Sequence, residues 1–131
     1  MPPEDRGRIQ TFLERYGRAI GSGDLVGAAA CWVVPALVLS DEGAIPVESR
    51  DEIEAFFGQA VAAYRSQGLV ETRPEIERIE VLSDRLVSVD VRWPAFDATG
   101  EERVSERSRY VLRSGGDGDP QIQVALMKAN T

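Results

Sequence analysis

The 131-residue chain carries 22 Asp and Glu against 15 Lys and Arg, for a net charge of −7, and 43% of its residues are hydrophobic. That length and apolar content suit one domain, residues 1–131, with a continuous core. The acidic balance argues against a nucleic-acid partner, a basic strip between Arg103 and Arg113 aside. No apolar run is long enough to span a bilayer. The charged start MPPEDRGR is not followed by an apolar signal segment, so a soluble, cytoplasmic protein with no membrane partner is expected. The lone Cys31 excludes an intrachain disulfide, and the absence of histidine removes the usual base near neutral pH and the commonest metal ligand. A Cys/His zinc site cannot be built, no metal or cofactor is expected, and any acid–base chemistry falls to Asp, Glu, Tyr or Lys.

In chain order, Ile9, Phe12, Leu13, Tyr16 and Ile20 recur at helical spacing and predict a helix from about Glu4 to Ile20, ended by Gly21-Ser22-Gly23. Asp24 is placed to cap a second, short helix with Leu25, Ala28, Ala29 and Trp32 on one face and Pro35 as its stop. A strand from Ala36 to Ser40, a turn at Asp41-Glu42-Gly43 and a strand from Ala44 to Val47 follow. Ser49-Arg50-Asp51-Glu52 reads as a capping box, with the glutamate reaching back to the cap. It opens a third helix carrying Ile53, Phe56, Phe57, Ala60, Val61 and Tyr64 on one face and closed by Gln67-Gly68.

The remainder reads as four strands: Ile76 to Leu82, Arg85 to Phe96, Arg103 to Arg113 and Gln121 to Lys128. Turns at Ser83-Asp84, Asp97 to Gly100 and Gly115 to Pro120 separate them. Helices first and a mostly antiparallel meander after is an α+β pattern. Alternation puts Val87, Val89, Val91 and Trp93 on the face toward the helices, with Val104, Glu106, Ser108, Tyr110 and Leu112 beside them. Ser88, Asp90, Arg92, Arg107 and Arg109 fall on the other face. In the last strand Ile122, Val124 and Leu126 are expected inward, and Gln121, Gln123 and Met127 outward.

This order of elements resembles the NTF2-like superfamily, in particular its SnoaL-like and ketosteroid-isomerase-like members, from about Arg8 to Asn130. The resemblance is carried by Gly23-Asp24-Leu25, the short helix to Trp32, Ser40-Asp41-Glu42-Gly43, Ser49 to Ile53 with Phe56-Phe57, and Ser108 to Leu112. It implies an α+β cone of the cystatin-like type, a strongly bent, mostly antiparallel sheet around three N-terminal helices. It also implies an apolar cavity open at one end, and a homodimer through the outer sheet face. Asp90 and Arg92 are similar to an Asp/Arg pair of epoxide hydrolases of this fold, but they lie on the face expected to meet solvent or a second copy. The superfamily hosts isomerases, dehydratases, hydrolases, cyclases and binding domains, so the fold alone names no reaction.

Tyr16 stands where ketosteroid isomerases carry a tyrosine that donates a hydrogen bond to a developing enolate oxygen; the alternative is a core aromatic with its hydroxyl tied to a neighbour. The isomerase's catalytic carboxylate falls at Ser40 and its second oxyanion donor at about Ser108, with Asp41 one residue off the first. Glu106, on the inward face, is the other candidate base: a carboxylate enclosed there would be desolvated, whereas one near the wide, wet end would not. Trp32, Phe56, Phe57, Tyr64, Trp93 and Phe96 are expected to line or floor the cavity or to be plain core, with Trp93, before Pro94, at the rim. Asp117-Gly118-Asp119-Pro120 lacks the ligand spacing of a calcium loop and reads as a hairpin turn. Glu75, Glu77 and Glu80 read as exposed strand charge.

Two functions follow. One is the binding of a small apolar organic molecule in an enclosed pocket by Trp32, Phe57, Tyr64, Trp93, Ser108 and Tyr110. In that case cofactor-free isomerisation, dehydration or cyclisation could follow, with Tyr16 as donor and Glu106 or Asp41 as base. The other is a non-catalytic ligand-binding or dimerisation domain with Tyr16 packed in the core.

Overall fold

The computed structural model describes residues 3–114 and 119–128, with side chains from Arg6 onward. Those residues form α1 (Pro3–Ser22), α2 (Leu25–Ala30), β1 (Trp32–Ser40), β2 (Gly43–Val47), α3 (Arg50–Ser66), β3 (Leu69–Thr72), β4 (Glu75–Val81), β5 (Leu86–Asp97), β6 (Glu102–Arg113) and β7 (Gln121–Lys128). The architecture is an α+β cone, with the helices held inside a strongly bent, open sheet. Much of the turn expected between β6 and β7, including Asp117 and Gly118, lies outside the described residues; Asp119 of that turn pairs with Arg15 at 3.0 Å.

α1 buries its predicted stripe, with Leu13 fully enclosed and Ile9, Phe12 and Tyr16 nearly so. It runs two residues past Ile20 and stops where Gly23 takes φ +78, a left-handed conformation that favours glycine. Asp24 N–H then donates to Ala19 C=O (2.8 Å) and Gly23 N–H to Ile20 C=O (3.2 Å), closing the last turn. The Asp24 carboxylate accepts from Gly27 N–H at 2.9 Å and starts α2. The Ser49 hydroxyl caps α3 by accepting from Glu52 N–H (3.3 Å). Glu52 reaches one residue further back than the capping box implies, to Glu48 N–H at 2.6 Å.

Three expectations change. Trp32 opens β1 rather than closing α2, because α2 ends at Ala30 with Cys31 N–H turned back to Ala28 C=O. Pro35 is therefore a strand residue; it lies where the β1–β7 register shifts between Trp32 and Leu37, so its missing N–H costs no ladder bond. β3 was not visible in the sequence: four residues between Gly68 and Pro74 are too short to show alternation. In β7 an irregularity sits opposite Val111 and Leu112, so Ile122 pairs with Leu112 but Val124 pairs with Val111. The extra residue reverses the alternation beyond it. Ala125 and Met127 turn inward, and Val124 and Leu126 turn outward with Leu37 and Leu39 of β1.

The strand order is β2-β1-β7-β6-β5-β3, with β4 also paired to β5. β1 and β7 are parallel and the other pairs antiparallel. β3 and β4 share one edge of the twelve-residue β5 in tandem, and α1 packs against β3. Val89, Val91, Leu112 and Ile122 meet Phe12, Leu13 and Ile53 in the core. Each such side chain contributes about 1.5–3 kcal/mol by leaving water.

The convex face holds the predicted charges as pairs. Asp90 accepts from Arg109 (2.7 Å) and Lys128 (3.1 Å). The Arg109 hydrogen bond holds the Asp90 carboxyl below the usual carboxylate range, against a smaller opposing effect of burial. Arg92 bridges Glu75 and Glu102, Arg107 meets Glu77, and Arg78 meets Glu80.

α1 can lie against β3 and β5 because it is bare where they touch. A Cβ on Gly17 would stand 2.9 Å from the Trp93 ring and 3.2 Å from Thr72 C=O, whereas one on Gly58 of α3 would meet only Leu25 at 3.7 Å. Both substitutions gain about 1 kcal/mol of helix propensity. Overpacking against the fixed indole and backbone costs about 1–3 kcal/mol and outweighs that gain at Gly17 alone. In urea titrations Gly58→Ala should therefore raise the unfolding midpoint and Gly17→Ala lower it.

Candidate functional site

The cone encloses a cavity of about 250 Å³ between α1, α3 and the concave face of the sheet. α1 contributes Tyr16 and Ile20, and α3 contributes Phe56, Phe57, Ala60, Ala63 and Tyr64, one helical face in each case. β3 adds Leu69 and Thr72; Trp93, Val104, Glu106, Ser108, Tyr110 and Met127 complete the wall. Beneath it a residual space of about 20 Å³ is bounded by Trp32, Val38 and Ala125. All three tyrosines and both tryptophans of the chain stand on one or both of these walls.

Two indole-to-phenol hydrogen bonds organise the floor. Trp32 Nε1 donates to the Tyr16 hydroxyl at 3.2 Å, and Trp93 Nε1 donates to the Tyr110 hydroxyl at 2.9 Å. The Tyr16 ring meets Phe57, Trp93 and Tyr110 edge-on, at centroid separations of 5.8, 6.0 and 6.3 Å. Each phenol oxygen accepts from an indole, Tyr110 is also hydrogen-bonded to Ser108, and chained hydrogen bonds polarise one another in a low-dielectric interior. Tyr16 is thus a core aromatic with its hydroxyl tied to a neighbour, as the second alternative has it, and its ring also borders the cavity.

Burial pushes the Tyr16 phenol well above the ordinary tyrosine value, with nearby Tyr110 adding to it and the Trp32 bond opposing. Tyr110 is raised chiefly by burial, against its bonds to Ser108 and Trp93. Tyr64 is pushed up to about 12 by burial and then by the Glu106 carboxylate, with a Thr72 hydrogen bond pulling the other way. The site is a set of protonated phenols, suited to donating to an acceptor rather than to abstracting a proton.

Other candidates fall differently. Glu106 lines the cavity as its alternation predicts, but it is exposed at the mouth and not enclosed. Its negative charge bears on Tyr64 and Tyr110. Asp41 sits exposed in the β1–β2 turn and is not on the cavity wall, because Ser40 pairs with Gly43 and Asp41 is carried into the turn beyond the last pair. Ser108 is buried on the wall, its hydroxyl directed at the Met127 sulfur (3.8 Å). Trp93 is buried by its bond to Tyr110 and does not form the rim. Phe96 lies on the opposite side of the sheet, under the Arg73 guanidinium at 4.0 Å.

Sequence reasoning missed Met127, hidden by the irregularity in β7, and Leu69 and Thr72, hidden by the brevity of β3. It also missed the Trp–Tyr pairing, for which no local signal exists. Among the described residues no group of His, Cys, Asp and Glu could hold a metal ion, and no helix is long and apolar enough to cross a membrane.

A bent sheet wrapped on three helices around a blind apolar cavity defines the cystatin-like α+β cone. The chain belongs to the NTF2-like proteins of the family described as NTF2-like protein (DUF6841), whose family model matches residues 4–129. Among solved structures it is similar to a domain of unknown function with a cystatin-like fold from Nostoc punctiforme (TM-score 0.74, 24% identity, 100% of this chain and 80% of that one). It is also similar to Aln2 from a Streptomyces species (0.73, 20%, 98% and 92%). An NTF-2 like protein of unknown function from Shewanella oneidensis is a third (0.72, 20%, 98% and 100%). At these identities the likeness is one of fold. No curated protein matches the chain.

The phenols make a pH-dependent prediction. Their folded values lie above the unfolded value of about 10, so the folded chain keeps protons that the unfolded chain sheds. Stability is then full below about pH 10 and falls as pH rises through the folded values. Near-ultraviolet phenolate absorbance of the native chain should stay flat through about pH 10, and the urea midpoint should drop between about pH 10 and 12. Phenolate forming near pH 10 without unfolding would contradict the enclosed placement of these rings.

Proposed function

We propose that this chain binds a small, mostly apolar organic molecule in the cone cavity, with an acceptor atom such as a carbonyl oxygen held by the Tyr16 and Tyr110 hydroxyls. One observation carries this reading: every tyrosine of the chain stands on the wall of an otherwise apolar cavity of about 250 Å³. Ligand sites are typically concave and apolar with a few convergent polar groups, and this volume suits a ligand of one or two rings. The indole donations to Tyr16 and Tyr110 fix both phenol oxygens and sharpen their O–H groups as donors.

Cofactor-free isomerisation, dehydration or cyclisation is the second reading, since a carbonyl held by two phenols is polarised toward its enol. It rests on Glu106, the carboxylate on the wall. Binding is preferred because Glu106 is exposed rather than enclosed.

We also propose that the chain is a homodimer through the convex sheet face. The support is a band of half-buried Leu37, Leu39, Val124 and Leu126 across β1 and β7, beside the Asp90–Arg109–Lys128 cluster. Light scattering after gel filtration should give twice the 14.4 kDa chain mass. Leu126→Lys should halve it with the melting transition retained, and an unchanged mass would remove this face as the interface.

4-Ethylacetophenone, with a ketone, a ring and a short alkyl tail, is a suitable binding probe. Isothermal titration should show saturable binding, weakened about five- to tenfold by Tyr16→Phe, the size expected for one lost hydrogen bond. 1,4-Diethylbenzene, which has no acceptor, should lose little. The variant leaves Trp32 N–H without its acceptor and costs about 1–3 kcal/mol of stability, so titrations belong well below its melting transition. Absence of ketone binding, or equal loss for both probes, would overturn the reading.

A further inference from the structure

Among the described residues the cavity wall is neutral or apolar except at its mouth, where Glu106 stands, and none of those lining it is a lysine or arginine. The ion pairs among the described residues lie elsewhere, and none includes Glu106. This contrasts with the convex face, where Glu75, Glu77, Glu80, Asp90 and Glu102 all have an arginine partner. Glu106 pairs in register with Trp93 across β5 and β6, so carboxylate and indole are neighbours on the concave face. Tyr64 and Tyr110 adjoin it closely enough for its charge to raise both phenols.

We infer that Glu106 is a specificity-determining residue that makes this site select ligands with a protonated amine at one end. This rests on the cavity being a ligand site, and it adds the ligand's charge. A small molecule seated with its acceptor oxygen on the phenols has its far end at the mouth. An ammonium group there meets the carboxylate and the half-buried Tyr64 ring near it. A carboxylate or phosphate at the same place meets a like charge, and no cation on the wall offsets it. The excess of acidic residues over the whole chain acts in the same direction on the approaching ligand. Organic acids, acyl phosphates and nucleotide-linked thioesters are thereby disfavoured.

Three probes share the acetophenone body and differ only at the far end: 4-(aminomethyl)acetophenone (cation), 4-ethylacetophenone (neutral) and 4-acetylbenzoate (anion). The readout is the ratio of dissociation constants at neutral pH. The intact chain should bind the amine about three- to tenfold more tightly than the neutral ketone, and the acid most weakly. The preference should shrink as salt is raised to about 0.5 M. Glu106→Gln should bring the amine-to-neutral ratio close to one. Glu102→Gln removes the same charge from a glutamate paired with Arg92 on the convex side and should leave the ratio intact. The inference is overturned by a ratio near one in the intact chain, by a ratio that survives Glu106→Gln, or by one lost equally in Glu102→Gln. Failure of 4-ethylacetophenone itself to bind would instead remove the cavity reading, and this inference with it.

Discussion

A buried indole N–H must find an acceptor, and an unpaired one costs about 1–3 kcal/mol. In this chain the constraint is met twice by phenols, Trp32 to Tyr16 and Trp93 to Tyr110. The partners come from different places in the sequence: α1 and the start of β1 in one pair, β5 and β6 in the other. Each bond fixes a helix or strand relative to the sheet as well as satisfying a donor. The four rings border the space that stays open above them.

The packing around α1 serves the same end. Gly17 lets the helix approach the Trp93 ring, and Gly21 lets it approach Val70 C=O. The adjacent face of α1 carries Tyr16 into the cone. The irregularity in β7 acts on the other wall by turning Met127 inward, and it frees Leu126 for the convex face. One inserted residue thus changes both the cavity and the surface through which a second copy is proposed to bind.

Much of this was legible in the sequence, for identifiable reasons. α1, α3, β5 and β6 are long enough for their periodicity to show, and their caps, Ser49 and the glycine at 23, stand where the chain rules require. The inward placement of Glu106, Ser108 and Tyr110 followed from alternation along one uninterrupted strand. Alternation failed in β7 because a bulge carries no local signature in Gln121 to Lys128. It could not find β3, four residues long. Trp32 was misplaced because its spacing from Ala28 fits a helical face equally well, and only Cys31 N–H turning back shows that the helix has ended. Whether Glu106 was enclosed or wet depended on how far β6 extends past the helices, a tertiary distance that strand alternation does not contain.

The concentration of aromatic residues around one space gives the chain an intrinsic optical signal. Both tryptophans are shielded from water, donate to phenols and touch the walls of the cone, and Tyr16 and Tyr110 lie close enough to pass excitation to them. The ultraviolet emission of the whole protein is therefore emission from the cavity, blue-shifted and free of any background from tryptophans elsewhere. A molecule entering the cone perturbs the only emitters present, so occupancy can be followed without a dye, a label or a known substrate.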